Sequence, residues 1–92
     1  MNKEAKRIER YFKGVANHHR ISILWLIADD PEITVFEIAD RLKANHKTIS
    51  EHLRRLSLAG LVDKKYRGKF VTNKLSPYGK RFYKFSKTFQ QS

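Results

Sequence analysis

The sequence has 92 residues, 20 lysines and arginines against 9 acids, a formal net charge of +11 and no cysteine. A chain of this length supports one modest core, and the lack of thiols excludes disulfides, cysteine nucleophiles and thiolate metal sites. No signal-peptide pattern follows Met1-Asn2-Lys3-Glu4, and the longest apolar run, Ile23 to Ala28, is too short to span a bilayer, so a soluble cytoplasmic protein with no membrane association is expected.

The charge is one-sided. Residues 1–42 hold seven basic and seven acidic side chains, which cancel, whereas residues 43–92 hold thirteen basic residues against only Glu51 and Asp63. Such asymmetry suits a polyanion, nucleic acid first and an anionic membrane surface second.

In chain order, residues 3–13 read as a helix, with Ala5, Ile8, Tyr11 and Phe12 at helical spacing and Gly14 as its stop. Residues 18–28 read as a second helix, with Asn17 as N-cap. Ile21, Ile23, Leu24, Trp25, Leu26, Ile27 and Ala28 leave it little polar surface, which places it in the centre of the core. Asp29, Asp30 and Pro31 end it. Thr34 with Glu37 three residues later matches a capping box for a third helix, whose buried side is Val35, Ile38, Ala39 and Leu42.

A tight link, Lys43-Ala44-Asn45, leads to a fourth helix over 46–59, capped by Asn45 and closed by Gly60. Ile49, Leu53 and Leu56 face the core, bordered by His52 and Ala59. Two short helices so joined form a helix-turn-helix candidate. Residues 61–66 and 69–75 read as two strands with Arg67-Gly68 at the turn. Ser76-Pro77 then starts a last helix over 77–89, striped with Tyr78, Phe82, Phe85 and Phe89. The stripe asks for a second apolar surface, and the first helix with a two-fold mate would supply one. Gln90 to Ser92 read as a loose tail.

The segments Ala16-Asn17-His18-His19-Arg20-Ile21-Ser22-Ile23-Leu24, Phe36-Glu37-Ile38-Ala39-Asp40-Arg41-Leu42 and, most specifically, Lys47-Thr48-Ile49-Ser50-Glu51-His52-Leu53-Arg54-Arg55-Leu56-Ser57-Leu58-Ala59-Gly60-Leu61-Val62 resemble the winged-helix regulators of the ArsR and MarR type over roughly residues 5–88. The resemblance implies a mainly α fold with a small β-hairpin wing, a winged helix-turn-helix in the order α-α-α-α-β-β-α, filling residues 1–92 as a single domain. It also implies a homodimeric transcriptional repressor on an imperfectly palindromic double-stranded operator, with Ile8, Tyr11, Phe12, Tyr78, Phe82, Phe85 and Phe89 of the terminal helices at the dimer interface.

Metal-sensing members carry cysteines in the first helix of the helix-turn-helix unit, where this chain has Val35-Phe36-Glu37-Ile38-Ala39, or Asp and His ligands on the last helix, where it has none. No metal or cofactor is therefore expected. The adjacent His18 and His19 read as a cap region or packed edge.

With Ile49 and Leu53 inward, the fourth helix offers His46, Lys47, Thr48, Ser50, Glu51 and Arg54 to the major groove. Lys47 and Arg54 are candidates for guanine edges. Glu51 either accepts from cytosine or orients Arg54 or Arg55. Lys65, Arg67 and Lys69 of the wing are candidates for phosphates or the minor groove, and Lys43 and Arg55 are candidates for phosphates. The alternative is a basic winged-helix module for protein–protein assembly. RNA ranks below DNA. No glycine-rich phosphate loop, catalytic triad or carboxylate pair points to an enzyme, and no effector site is legible.

Overall fold

The computed structural model describes residues 2–91, Gln91 by its backbone alone. The elements run α1 (Asn2–Val15), α2 (His18–Asp29), α3 (Val35–Leu42), α4 (His46–Leu58), β1 (Val62–Arg67), β2 (Phe70–Leu75), α5 (Pro77–Thr88) and a 3-10 turn (Phe89–Gln91). This is the expected winged-helix order.

Local chemistry starts each helix where the sequence pattern places it. The Asn17 side chain accepts from the amides of His19 and Arg20 at 2.9 and 3.3 Å. Thr34 and Glu37 form a reciprocal capping box, 2.9 Å from the Thr34 amide to the Glu37 carboxylate and 3.1 Å from the Glu37 amide to the Thr34 hydroxyl. Asn45 Oδ1 accepts from the Lys47 amide at 2.7 Å, and Ser76 Oγ from the Gly79 amide at 3.0 Å. Each cap satisfies an otherwise orphaned donor, worth about 1 kcal/mol.

Two termini differ from expectation. Gly14 does not stop the first helix, because α1 continues to Val15, whose side chain is buried against the core. The chain after Thr88 is also not a loose tail: Gln90 and Gln91 complete a 3-10 turn with Phe89, while Ser92 lies outside the described residues.

The core gathers Ile23, Leu24 and Ile27 of α2, Ile38 of α3, Ile49, Leu53 and Leu56 of α4, and Leu61, Val62 and Leu75 at the root of the hairpin. Each fully buried aliphatic side chain contributes about 1.5–3 kcal/mol. Helix α2 touches every other helix and β2, which explains why apolar residues occupy nearly its whole circumference.

The hairpin is antiparallel, in register from Val62↔Leu75 to Arg67↔Phe70, so Arg67 closes β1 and the turn is Gly68-Lys69, one residue later than the expected Arg67-Gly68. Its root is buried while residues 63–70 are exposed, so the tip projects from the body. A single bridge between Thr34 and Thr72 adds the entry to α3 as a third, one-residue strand.

Helix α5 is seated on the junction of α4 and β1. Ser76 Oγ donates to the Gly60 carbonyl at 2.6 Å, and a β-carbon at Gly79 would lie 2.0 Å from the Leu61 carbonyl oxygen, so only glycine permits this approach. Trp25 Nε1 donates to Ser86 Oγ at 2.8 Å, fastening α2 to the far end of α5.

Candidate nucleic-acid interface

Helices α3 and α4 meet through a three-residue turn. Lys43 takes a left-handed conformation, φ 50°, and its amide closes the end of α3 on the carbonyls of Ala39 and Asp40. Asn45 then caps α4 at once, so the two axes form the expected helix-turn-helix.

On α4, Ile49, Leu53 and Leu56 are buried, and the opposite side presents His46, Lys47, Thr48, Glu51, Arg54 and Arg55 to solvent, with Ser50 half-buried. The structure therefore brings the predicted base-reading residues onto one face. Their electrostatics are organised by Glu51. Arg54 donates to its carboxylate through Nε and an Nη at 2.9 and 2.6 Å, and Arg55 Nε lies 3.3 Å away. The hydrogen bond from Arg54 holds the Glu51 pKa down to about 2, aided by the charges of Arg54 and Arg55. In the free protein Glu51 thus orients arginines, the second of the two roles open to it, and holds the Arg54 fork in one direction.

His46 at the start of α4 is stacked on Phe36 of α3, ring centroids 4.3 Å apart. His52 borders the core. Arg20 of α2 reaches its Nδ1 at 3.2 Å, and His19 lies beside it with ring centroids 5.6 Å apart. Burial, then the charges of Arg20, His19 and Arg55, lower the His52 pKa, with Glu51 opposing. His18 and His19 pack against each other at 4.1 Å along this edge. Among the described residues no group of three or more His, Asp or Glu side chains could hold a metal ion.

Lys65, Arg67 and Lys69 are all exposed on the projecting part of the wing. Arg67 is paired with Glu32 in the loop between α2 and α3, a contact 35 positions apart in sequence that ties the wing tip to the body. Sequence reasoning also missed a cationic groove of about 340 Å³ where Arg10, Lys13 and Arg20 join Arg54 and Arg55. Only the packing of α1 and the start of α2 beside α4 brings them together. Burial and the neighbouring Arg55 lower the Arg20 pKa, as expected for a guanidinium pressed against another cation.

The terminal helices form a second surface. Tyr11 stacks on Tyr78 at 4.7 Å, and Phe12 meets Phe82 edge-on at 5.1 Å. Tyr11 and Phe82 lean on the core, whereas Ile8, Phe12, Phe85 and Phe89 remain 46–62% exposed. Such a contiguous aromatic face is the signature of an interaction surface. No helix among the described residues is long and apolar enough to cross a membrane.

Residues 15–65 match a family described as a helix-turn-helix domain. The cadmium resistance transcriptional regulatory protein CadC of Listeria innocua is 30% identical over 70 residues, 76% of this chain and 59% of that protein. The transcriptional activator HlyU of Vibrio cholerae is 32% identical over 76 residues, 83% of this chain and 69% of its own length. The chain thus spans about three fifths of the cadmium regulator's length. The solved structure of Vibrio cholerae HlyU superposes with a TM-score of 0.89 over 100% of both chains at 27% identity. The homodimeric winged helix-turn-helix DNA-binding domain of a possible ArsR-family regulator from Mycobacterium bovis superposes with a TM-score of 0.87 at 25% identity, covering 98% of this chain and 83% of that one.

Proposed function

Since the chain belongs to the ArsR-type winged helix-turn-helix regulators, we propose that it is a sequence-specific transcriptional regulator, a repressor, that binds a palindromic double-stranded operator as a homodimer in the cytoplasm. Residues 1–92 act as one winged-helix domain. The observation that carries the reading is the α4 face, where Lys47, Thr48, Ser50 and the Glu51-oriented Arg54 stand together beside a basic wing.

Helix α4 enters the major groove by its N-terminal half, and Lys47 and Arg54 read guanine edges there. His46 and Thr48 contact neighbouring edges or phosphates. Lys43, Arg55, Lys65 and Lys69 hold the backbone, and Arg67 exchanges Glu32 for a phosphate on binding. The groove of Arg10, Lys13 and Arg20 extends the phosphate track along α1 and the start of α2. The aromatic face of α1 and α5 pairs with its two-fold copy, setting the two α4 helices about 34 Å apart, one turn of duplex. The cysteines that metal-sensing regulators of this type carry on the first helix of the helix-turn-helix unit have no counterpart here, and DNA binding in this reading requires no metal.

Selection from a random duplex library at two salt concentrations tests this. The expected result is a palindromic consensus bound two protomers to one duplex, with a logarithmic salt slope of about 0.9 for each phosphate neutralised. Binding without a consensus, or affinity independent of salt, would overturn it.

A further inference from the structure

Two hollows of this chain differ in what they offer a ligand. The cleft beneath the wing ends on Asn73, whose amide is buried, without a hydrogen-bond partner and out of reach. A second hollow, of about 350 Å³, lies where the end of α2, the end of β2 and α5 meet. Ile27 and Leu75 close it behind, while half-buried Ala28 and Tyr83 and exposed Pro31 give it an apolar wall that a ligand can touch. Its volume is at the small end of the range for ligand sites, which suits a single ring or a medium-length alkyl chain.

The rim is cationic. Lys80 and Lys84 stand one turn apart on α5, and Lys74 joins them from β2. Lys87, further along α5, is already engaged, its Nζ 4.2 Å above the Trp25 ring. The other three have no such partner. Among the described residues they make no ion pair, and Asp63 forms none with Lys74 although strand register sets it opposite. Asp29 and Asp30 follow Ala28 in the chain, yet no carboxylate lines the hollow. An apolar wall with like charges gathered at its edge complements a molecule of the opposite layout, an apolar body ending in an anionic head. Ammonium groups are point charges, so they set the sign of that head rather than its shape. We propose that this hollow binds a small amphiphilic organic anion, the body against Ala28, Pro31 and Tyr83 and the head among Lys74, Lys80 and Lys84.

The site bears on regulation because its walls belong to β2, which carries the wing, and to α5, which carries the aromatic face. A ligand bound against both is placed to bias operator affinity, a consequence that rests on the DNA reading above; the anion binding itself does not. The test is accordingly made without DNA, so that failure of one proposal is distinguishable from failure of the other.

Methyl and aromatic resonances of the full chain are followed by two-dimensional NMR during titration with octanoate, phenylacetate and octyl phosphate, and with uncharged octanol, each to about 1 mM. The Ala28 methyl and Tyr83 ring signals are expected to shift saturably with at least one of the anions, and the tightest of the three identifies the body and the head. Octanol is expected to bind about tenfold more weakly for want of the charged contacts. Lys80→Gln with Lys84→Gln, both exposed, is expected to fold and to weaken the anion toward the level of octanol. Ala28→Leu, which fills the hollow, is expected to weaken the anion about tenfold or more. No saturable shift of Ala28 or Tyr83 with any of the anions would overturn the proposal. So would octanol binding as tightly as the anions, or undiminished anion binding in the double lysine variant, which decides the matter also if Ala28→Leu does not fold.

Discussion

Helices α2 and α5 are both apolar at helical spacing, and they meet opposite fates. Ile23, Leu24 and Ile27 of α2 are 0–2% exposed, enclosed on all sides by the chain itself, whereas the one buried residue of α5 among those described is Gly79, which has no side chain. Phe85 on α5 and Phe89 just after it stand 51% and 62% exposed, edge-on to each other. The same periodicity thus encodes a finished core in one place and an open surface in the other. A chain of this size has too few elements to cover both, and in the proposed homodimer a second copy covers the open one.

Mutation separates the two regions, and the largest effect belongs to the core. Leu53→Ala removes a side chain 1% exposed between α4 and the wing. Loss of stability on the order of 2–5 kcal/mol is expected in urea unfolding, a large share of what a small domain has. A loss below about 1 kcal/mol would mean that the core is looser than its burial indicates.

Phe85→Glu addresses the open face. The helical circular dichroism of the monomer is expected to persist, while the dimer dissociation constant measured by sedimentation rises roughly thirtyfold or more, as for an interface hot spot. Operator affinity falls with it. An unchanged dissociation constant would place the two-fold elsewhere.

The smallest effect lies at His52, on the boundary between core and groove face. Its folded pKa is lowered, so the imidazole titrates below the ordinary value of about 6.5 in an NMR titration. A depressed folded pKa contributes stability that is present above the unfolded value and lost as pH falls through the folded one. Acidification should therefore loosen the Arg20–His52 contact while Glu51, with its pKa at about 2, still holds Arg54. A midpoint at or above about 6.5 would show that burial and the charges of Arg20, His19 and Arg55 do not govern this ring.

Several features of the fold and site are legible in the chain's local pattern. The four caps at Asn17, Thr34, Asn45 and Ser76 are readable because a cap and the amide it satisfies lie within three residues. The inward trio Ile49, Leu53 and Leu56 fixes which side of α4 faces out, and with it the DNA-reading candidates. Helix ends are harder to read: Gly14 is a helix breaker by propensity, yet α1 passes through it because a β-carbon there would lie 2.4 Å from that of Ala59, and the close packing against α4 favours glycine.

The sequence by itself therefore determined the element order, the caps, the inward faces and the concentration of positive charge after residue 42, since each depends on neighbours along the chain. Only the tertiary structure decided the Glu32–Arg67 pair, the Arg20–His52 contact, the Thr34–Thr72 bridge, the basic groove between α1 and α4 and the unpartnered Asn73 amide beneath the wing. These join residues far apart in sequence, and no periodicity records which side chains distant segments will bring within a few ångströms once the apolar faces close.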